Sequence, residues 1–240
     1  MTAAERAHVL LERVRTLHEE WARLTRGLDE ASVRGPSALP GWTRAHLLSH
    51  LARNADGLVN LLTWAKTAVE TPMYAGEAAR DDDIEKGAYR SAEEIAEDVV
   101  SSAARLVEVA SSLPDDAWSA RVRARQGREI PAEFVLWLRF SEISIHLTDL
   151  DLGYDFARVA DLLGDEFEVV VGNAIGMYGG ELPAVLLVAA EADGYRHEWR
   201  LGEGEPVTLT GTRGDVLAWV TGRSDGSTLD GEAPPLPHWL

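Results

Sequence analysis

Cysteine, lysine and long apolar runs are absent or scarce in this chain, and each absence excludes a class of protein. With no cysteine among its 240 residues, the chain can form no disulfide and offers no thiol nucleophile of its own. No apolar run approaches the roughly 20 residues that span a membrane, and the N-terminal segment lacks the basic start and apolar core of a signal peptide. We therefore expect a cytoplasmic protein without membrane contact.

Positive charge is scarce as well. The 23 basic residues, of which only 2 are lysine, are outnumbered by 40 acidic residues, and the net charge is −17. Such a surface repels nucleic acid and anionic membranes, although a local group of arginines can still bind a small acidic substrate. Hydrophobic residues make up 45% of the chain, enough for a substantial core. We expect a monomer whose partners are small molecules.

Apolar residues at helical spacing predict four helices in the first part of the chain, at residues 3–28, 43–69, 91–112 and about 131–152. Thr43 is the expected N-cap of the second helix, Ser91 begins a capping box at the third, and Pro131 suits the first turn of the fourth. Two polar segments, residues 70–90 and 115–129, are predicted to be loops. Four such helices are typical of a bundle.

The pattern changes near residue 155, where we place a domain boundary. Residues 161–178 are predicted to form one helix and residues 215–222 another, with three short strands between them. The strands lie in the segments ELPAVLLVAAEA, YRHEWRL and PVTLTG. We therefore expect an α+β chain of two domains, a helical bundle over residues 1–155 and a small α/β module over residues 156–240.

Three side chains within the predicted bundle suggest a metal site. Glu142 and His146 stand four residues apart in an otherwise apolar helix, so they share one face, and His50 lies in the apolar stripe of a second helix. Two imidazoles and a carboxylate can hold a metal ion and leave a position open, as in catalytic zinc sites, although the same donors suit nickel, manganese or iron. The alternative is a buried Glu–His hydrogen bond without metal.

His46 is a competing candidate, because it stands four residues before His50 and could form a ligand pair with it. The apolar stripe favours His50, which lies among leucines, whereas His46 falls toward the edge of the helix. We interpret His46 as an exposed residue or as a partner of a ligand. Direct ligation by His46 remains an alternative at this point.

Longer segments of the chain resemble a known family, the mycothiol-dependent maleylpyruvate isomerases. The resemblance is carried by PGWTRAHLLSHLARNADGL, YAGEAARDDDIEKGAYRSAEEIAEDV and LRFSEISIHLTDLDLGYDF, and by the C-terminal LTGTRGDVLAWVTGRSDGSTLDGEAPPLPHWL. It extends over nearly the whole chain. It implies a DinB-like four-helix metal-binding domain followed by a small α/β, sterol-carrier-like C-terminal domain.

The resemblance also implies site residues and an activity. The zinc ligands of the family fall on His50, Glu142 and His146, and its essential C-terminal arginine falls on Arg223, with Arg213 as the competitor. The structural alternative for Arg223 is a cation at a helix C-terminus. Family members convert maleylpyruvate to fumarylpyruvate with the thiol mycothiol, in a reaction that we expect between the bundle and the α/β module. A mycothiol S-transferase or a non-catalytic metal-binding module are the alternative functions.

Several further residues are candidates for supporting roles. Tyr74, Arg80 and Asp81 lie in the segment that resembles the family, where they either help to close the site or bind mycothiol, or simply support the loop. Asn54 and Asp149 lie about one helical turn from His50 and His146. Each can orient a ligand imidazole, or it can serve only the surface or the end of its helix.

Overall fold

Long helices build the N-terminal unit, Met1–Asp151, of the computed structural model, which describes residues 1–178 and 182–237. The four longest are α1 (Ala3–Arg26), α3 (Arg44–Thr67), α5 (Ala92–Ser111) and α6 (Phe134–Asp149), and two shorter ones are α2 (Glu30–Arg34) and α4 (Glu77–Ala88). The four predicted bundle helices are thus confirmed. Their inward faces carry the largest buried side chains of the unit, among them Trp21, Phe140 and Leu58.

Local sequence explains where these helices begin. The Thr43 hydroxyl accepts a hydrogen bond from the backbone N–H of His46 at the start of α3, and Ser91 does the same for Glu94 at the start of α5. In turn, the side chain of His46 accepts a hydrogen bond from the backbone N–H of Thr43, and the side chain of Glu94 accepts one from that of Ser91. Both predicted N-caps are therefore confirmed. A capping box stabilises the start of a helix because it satisfies amide donors that would otherwise lack partners.

The segment 70–90 was predicted to be a loop, but this prediction was wrong in part, because the segment contains α4. This helix has only a narrow apolar face, in which Ile84, Gly87 and Ala88 are buried, and its other positions are mainly charged residues and alanine. Helical periodicity of hydrophobic residues is therefore weak, and packing against α3 stabilises the helix instead. A Cβ atom at Gly87 would lie 2.6 Å from the Ser49 hydroxyl of α3, so the glycine permits this close approach.

The second predicted loop, residues 115–129, was also wrong in part. It contains two 3-10 turns, and it includes β1 (Arg121–Arg123) and the start of β2 (Glu129–Pro131), which form an antiparallel hairpin. Pro131 ends β2 and does not begin the fourth helix, which starts three residues later at Phe134. Val122 and Ile130 pair across the hairpin and are both buried, which explains why so short a ribbon is formed.

The C-terminal unit, Leu152–Leu240, combines helices with a three-stranded sheet. Its elements are α7 (Phe156–Leu163), α8 (Phe167–Gly176), β3 (Val185–Ala190), β4 (Arg196–Leu201), β5 (Val207–Gly211) and α9 (Arg213–Val220). The sheet order is β4-β3-β5, with β3 antiparallel to β4 and parallel to β5. The strands and the α+β fold class are confirmed, but the single helix predicted for residues 161–178 is broken at Gly164, whose φ is +53°.

The start of α3 is fixed against the end of α6, which brings the predicted ligands together. Arg44, the first residue of α3, donates from Nε to the carbonyl of Leu150 at 2.7 Å and from a terminal nitrogen to that of Asp151 at 3.1 Å. These bonds satisfy carbonyl groups just beyond the C-terminus of α6. The two helices therefore lie antiparallel, with the second turn of α3 beside the last turns of α6. Across residues 1–178 and 182–237, none of the helices combines the length and apolarity required to cross a membrane.

Candidate metal site

His50, Glu142 and His146 converge inside the bundle. Oε2 of Glu142 lies 2.9 Å from Nε2 of His50 and 3.2 Å from Nε2 of His146. One potential ligand atom from each residue lies within 4.8 Å of the other two. The helical spacing of Glu142 and His146 thus gives the shared face that the sequence predicted, and α3 supplies the third donor.

The donor set fits a divalent metal ion. Ligands at about 2.0–2.1 Å in a tetrahedral site stand about 3.3 Å from one another, which is close to the two distances from Glu142. The side chains of His50 and His146 are only 8% and 10% exposed, whereas Glu142 is 29% exposed. The two histidines are therefore enclosed by the bundle, whereas part of the Glu142 side chain is accessible to solvent.

The electrostatics keep the carboxylate ionised. Desolvation opposes the charge on Glu142, but hydrogen bonds from His146 and His50 outweigh it and hold the pKa of the carboxyl well below its usual range. Burial lowers the pKa of His50. For His146, burial is overcome by hydrogen bonds to Asp149 and Glu142, which together raise its pKa. The site therefore offers a negative charge to a cation without a proton to remove from the carboxyl.

Asp149 orients His146. Its Oδ2 lies 2.7 Å from Nδ1 of His146, and its side chain is only 1% exposed. A carboxylate on the outer ring nitrogen fixes the tautomer that leaves Nε2 available to a metal. Asn54, the other predicted partner, contacts neither histidine ligand through a described hydrogen bond and instead accepts one from Arg139.

Arg139 was not singled out from the sequence. It is 1% exposed and donates to the Leu51 carbonyl at 2.8 Å, to Oδ1 of Asn54 at 2.9 Å and to Nε2 of His18 at 3.0 Å. Burial lowers its pKa to about 10, and the nearby charge of Glu142 opposes that shift. It therefore remains a buried cation at neutral pH. Its position three residues before Glu142, on the same helical face, was the available signal.

His46 lies outside the cluster. Its Nδ1 is 2.7 Å from the Thr43 hydroxyl within the capping box, and its Nε2 is 3.2 Å from Glu85 of α4. The ring also stacks on Trp42, with 6.4 Å between centroids. His46 thus caps its own helix and contacts the neighbouring one.

The segment around α4 reaches the cluster through Arg80. A terminal nitrogen of Arg80 lies 3.1 Å from Nδ1 of His50, while the other donates to Asp81 at 2.8 Å. The Arg80 guanidinium also lies over the Tyr74 ring, 5.9 Å from its centroid. Gly57 of α3 permits this arrangement, since a Cβ atom there would lie 3.0 Å from the Tyr74 ring and 2.9 Å from its neighbour Met73.

The two candidate arginines of the C-terminal unit differ in their contacts. Arg213 forms ion pairs with Asp161 at 2.8 Å and Glu191 at 3.4 Å, so its guanidinium supports the packing of its own unit. Arg223 lies just after α9. Its backbone N–H donates to the Ala218 carbonyl, and its side chain donates to the Thr221 carbonyl at 2.6 Å. The carboxylate pairing of Arg213 favours a structural role for that residue.

The fold and the cluster define a class of protein: helical bundles in which two histidines and a carboxylate converge in the interior. The sequence profile of one family, the mycothiol maleylpyruvate isomerase N-terminal domain, matches residues 14–151. The match covers more than half of the chain, and the chain belongs to this family. The resemblance seen in the sequence is confirmed.

Solved structures extend the similarity beyond that domain. The crystal structure of a mycothiol-dependent maleylpyruvate isomerase is 28% identical, with a TM-score of 0.84 and 100% of both chains covered. A histidine-to-alanine mutant of mycothiol-dependent maleylpyruvate isomerase is 27% identical, with the same TM-score and coverage. No curated protein sequence matches the chain.

Proposed function

We propose that this protein is a mycothiol-dependent maleylpyruvate isomerase that holds a zinc ion on His50, Glu142 and His146. The observation that carries the proposal is the inward cluster of two imidazoles and one ionised carboxylate. Its support is the similarity to isomerase structures over the whole chain. Three protein ligands are the number typical of a catalytic zinc site, in which one position is left for a ligand from solution.

The reaction requires temporary loss of a double bond. A thiolate adds to one alkene carbon of maleylpyruvate, and the electron pair of the double bond moves into the conjugated carbonyl as an enolate. The remaining carbon–carbon single bond rotates. The enolate then returns its electrons, re-forms the alkene in the trans configuration and expels the thiolate unchanged. Because the chain has no cysteine, the thiol comes from solution.

A zinc ion held by His50, Glu142 and His146 would lower the pKa of a nearby thiol and so favour its thiolate form. The chain's own residues prepare the site. Asp149 fixes the orientation of His146, and the hydrogen bonds to Glu142 keep the carboxylate ionised. The enclosing helices exclude water from the histidine side of the site.

We assign Arg223 the role of binding the substrate carboxylate or the enolate oxygen. A planar guanidinium matches either group through two parallel hydrogen bonds and balances the negative charge that develops during addition. The resemblance of the C-terminal segment to the family supports Arg223, since the family's essential arginine falls on this position in WVTGR. Replacing Arg223 with alanine is expected to lower turnover by at least about a hundredfold, the cost of one such donor, while the bound metal remains.

The test of the proposal is the isomerisation of maleylpyruvate by wild-type protein with and without mycothiol. We expect turnover only when the thiol is present. His50→Ala should lose both turnover and bound zinc, because it removes one of three ligands. His46→Ala is the matched control: it lies one helical turn earlier, is a histidine of the same helix, and should retain the metal and the activity.

Two results would contradict the proposal. Turnover without any thiol would rule out addition of mycothiol as the mechanism. A wild-type protein that binds zinc but conjugates mycothiol to electrophiles, with no isomerisation of maleylpyruvate, would identify an S-transferase that uses the same ligands.

A further inference from the structure

The PGWT motif, residues 40–43, forms a tight turn directly before α3. The backbone N–H of Trp42 donates to the Leu39 carbonyl at 3.1 Å, which closes a four-residue turn with Pro40 and Gly41 in its central positions. Gly41 has a φ of +80°, the value that a type II turn requires at its second central residue, and proline suits the first. The motif therefore specifies its own turn from local sequence.

The turn places Trp42 against a ligand of the candidate metal site. The Trp42 ring lies 5.5 Å from the His50 ring, centroid to centroid, at an interplanar angle of 54°. The Trp42 carbonyl accepts hydrogen bonds from the backbone N–H of Ser37 at 3.0 Å and from its hydroxyl at 2.9 Å. The ring also stacks on His46, but the backbone bonds hold Trp42 in place without that stacking.

The same segment is bonded to the helix that carries the other two ligands. The backbone N–H of Ala38 donates to the Asp149 carbonyl at 2.8 Å. The Asp149 carboxylate in turn lies 2.7 Å from Nδ1 of His146. One short segment before α3 is therefore connected to both ligand histidines, to His50 through the Trp42 ring and to His146 through Asp149.

A histidine ligand must hold its ring in one orientation to bind a metal ion. The torsion that turns an imidazole has broad minima, so the orientation of the ring depends on what packs against it. A working site tolerates deviations of only about 10–20°. The His50 side chain is 8% exposed and the Trp42 ring lies against it, so the imidazole has little room to turn.

We propose that Trp42 is a positioning residue of the metal site, which holds the His50 ring in the orientation of a ligand, and that the turn at Pro40 and Gly41 sets the place of the indole. This inference rests on the proposed function, since the metal comes from it. A smaller side chain at position 42 leaves the imidazole room to turn. Metal binding must then order the ring, and the affinity falls.

Trp42→Leu tests the proposal through the zinc affinity of the whole protein in a chelator competition. We expect the affinity to fall by about tenfold, the lower end of the effect of residues that orient a metal ligand. Trp42→Phe keeps an aromatic ring beside His50 and should recover most of the loss. Trp137→Leu is the matched control, because Trp137 is a half-buried tryptophan of α6 whose described ring contact is with Phe140. The control should change the affinity by less than about twofold.

The visible spectrum of the protein loaded with cobalt(II) reports the arrangement of the ligands, which a change in stability alone does not alter. The bands should shift in Trp42→Leu. They should match those of the wild type in Trp42→Phe and in Trp137→Leu.

Gly41→Ala is a second variant that leaves the tryptophan in the chain. Alanine is strained at a φ of +80°, so the turn and the Trp42 ring should shift and zinc binding should weaken. Gly127→Ala is the control, since Gly127 has a φ of +77° and an added Cβ meets nothing within 4 Å at either glycine. The control should bind zinc as the wild type does.

Equal zinc affinity in the wild type and Trp42→Leu, or an unchanged cobalt spectrum in that variant, would overturn the proposal. So would an equal loss of affinity in Trp42→Leu and Trp137→Leu, which would identify a general effect of stability. Wild-type affinity in Gly41→Ala would remove the role of the turn. These results all require a wild type that binds zinc and leave the isomerase assignment intact, whereas a wild type without zinc would overturn both.

Discussion

The buried cation Arg139 gives the sharpest prediction for stability. It connects α6 to α3 through Leu51 and Asn54 and to α1 through His18. Arg139→Met preserves much of the volume but removes three donors from the bundle core. Each buried acceptor left without a partner costs about 1–3 kcal/mol, while relief from burying the guanidinium offsets part of that loss. We expect a net loss of about 3 kcal/mol in the free energy of unfolding.

The measurement is urea denaturation of the whole zinc-free protein, followed by circular dichroism at the helix band. The loss of about 3 kcal/mol corresponds to a fall of roughly 6–12 °C in Tm for a chain of this size. Arg105→Met is the matched control, because Arg105 is 48% exposed and pairs with Asp56 at the surface. Its expected cost is below about 1 kcal/mol. If the two variants lost the same small amount, Arg139 would not organise the bundle core.

Three further predictions follow from the same contacts. Asp149→Asn should weaken zinc binding by about 10–100-fold in a chelator competition, whereas the exposed Asp151→Asn should leave the affinity unchanged; equal affinities would remove the orienting role. Burial, reinforced by nearby arginines, holds the pKa of His18 well below its usual value, so the unfolded chain binds more protons below about pH 6.5 and stability falls as the pH is lowered. His18→Gln should flatten this dependence in urea titrations between about pH 7.5 and 5, and an identical slope in the wild type would refute it. Gly57→Ala should destabilise the protein by about 1–3 kcal/mol, because the added methyl group clashes with the segment before α4. Gly172→Ala, at an exposed helical position with open space around it, should stabilise the protein by up to about 1 kcal/mol. If thermal unfolding showed the same change for both variants, the packing argument would be contradicted.

Local rules predicted much of this fold. The caps at Thr43 and Ser91 depend on residues three positions apart, so the sequence alone specifies them. The shared face of Glu142 and His146 follows from helical geometry in the same way. The apolar stripe around His50 then indicated which helix supplies the third donor. These features could be predicted because each arises within one helix.

Features that depend on tertiary contact could not be predicted in this way. The helix α4 has a narrow apolar face and is stabilised by close packing on α3, so its periodicity gave no signal. Consequently Arg80 was placed in a loop, although its helix holds it against His50. Arg139 bonds to His18 across 121 positions of sequence, a distance over which residue spacing carries no information. The bonds of Arg139 were missed for that reason, whereas Asp149, which lies in the same helix as His146, was among the predicted partners.

The central claim is that His50, Glu142 and His146 together hold the metal ion. The most direct test is a crystal structure of the zinc-loaded protein with anomalous diffraction at the zinc edge. The account predicts one ion per chain, about 2.0–2.1 Å from each of the three donors, with a further position left for a ligand from solution. Zinc bound through His46 and Glu85, or no ordered zinc at this cluster, would contradict it.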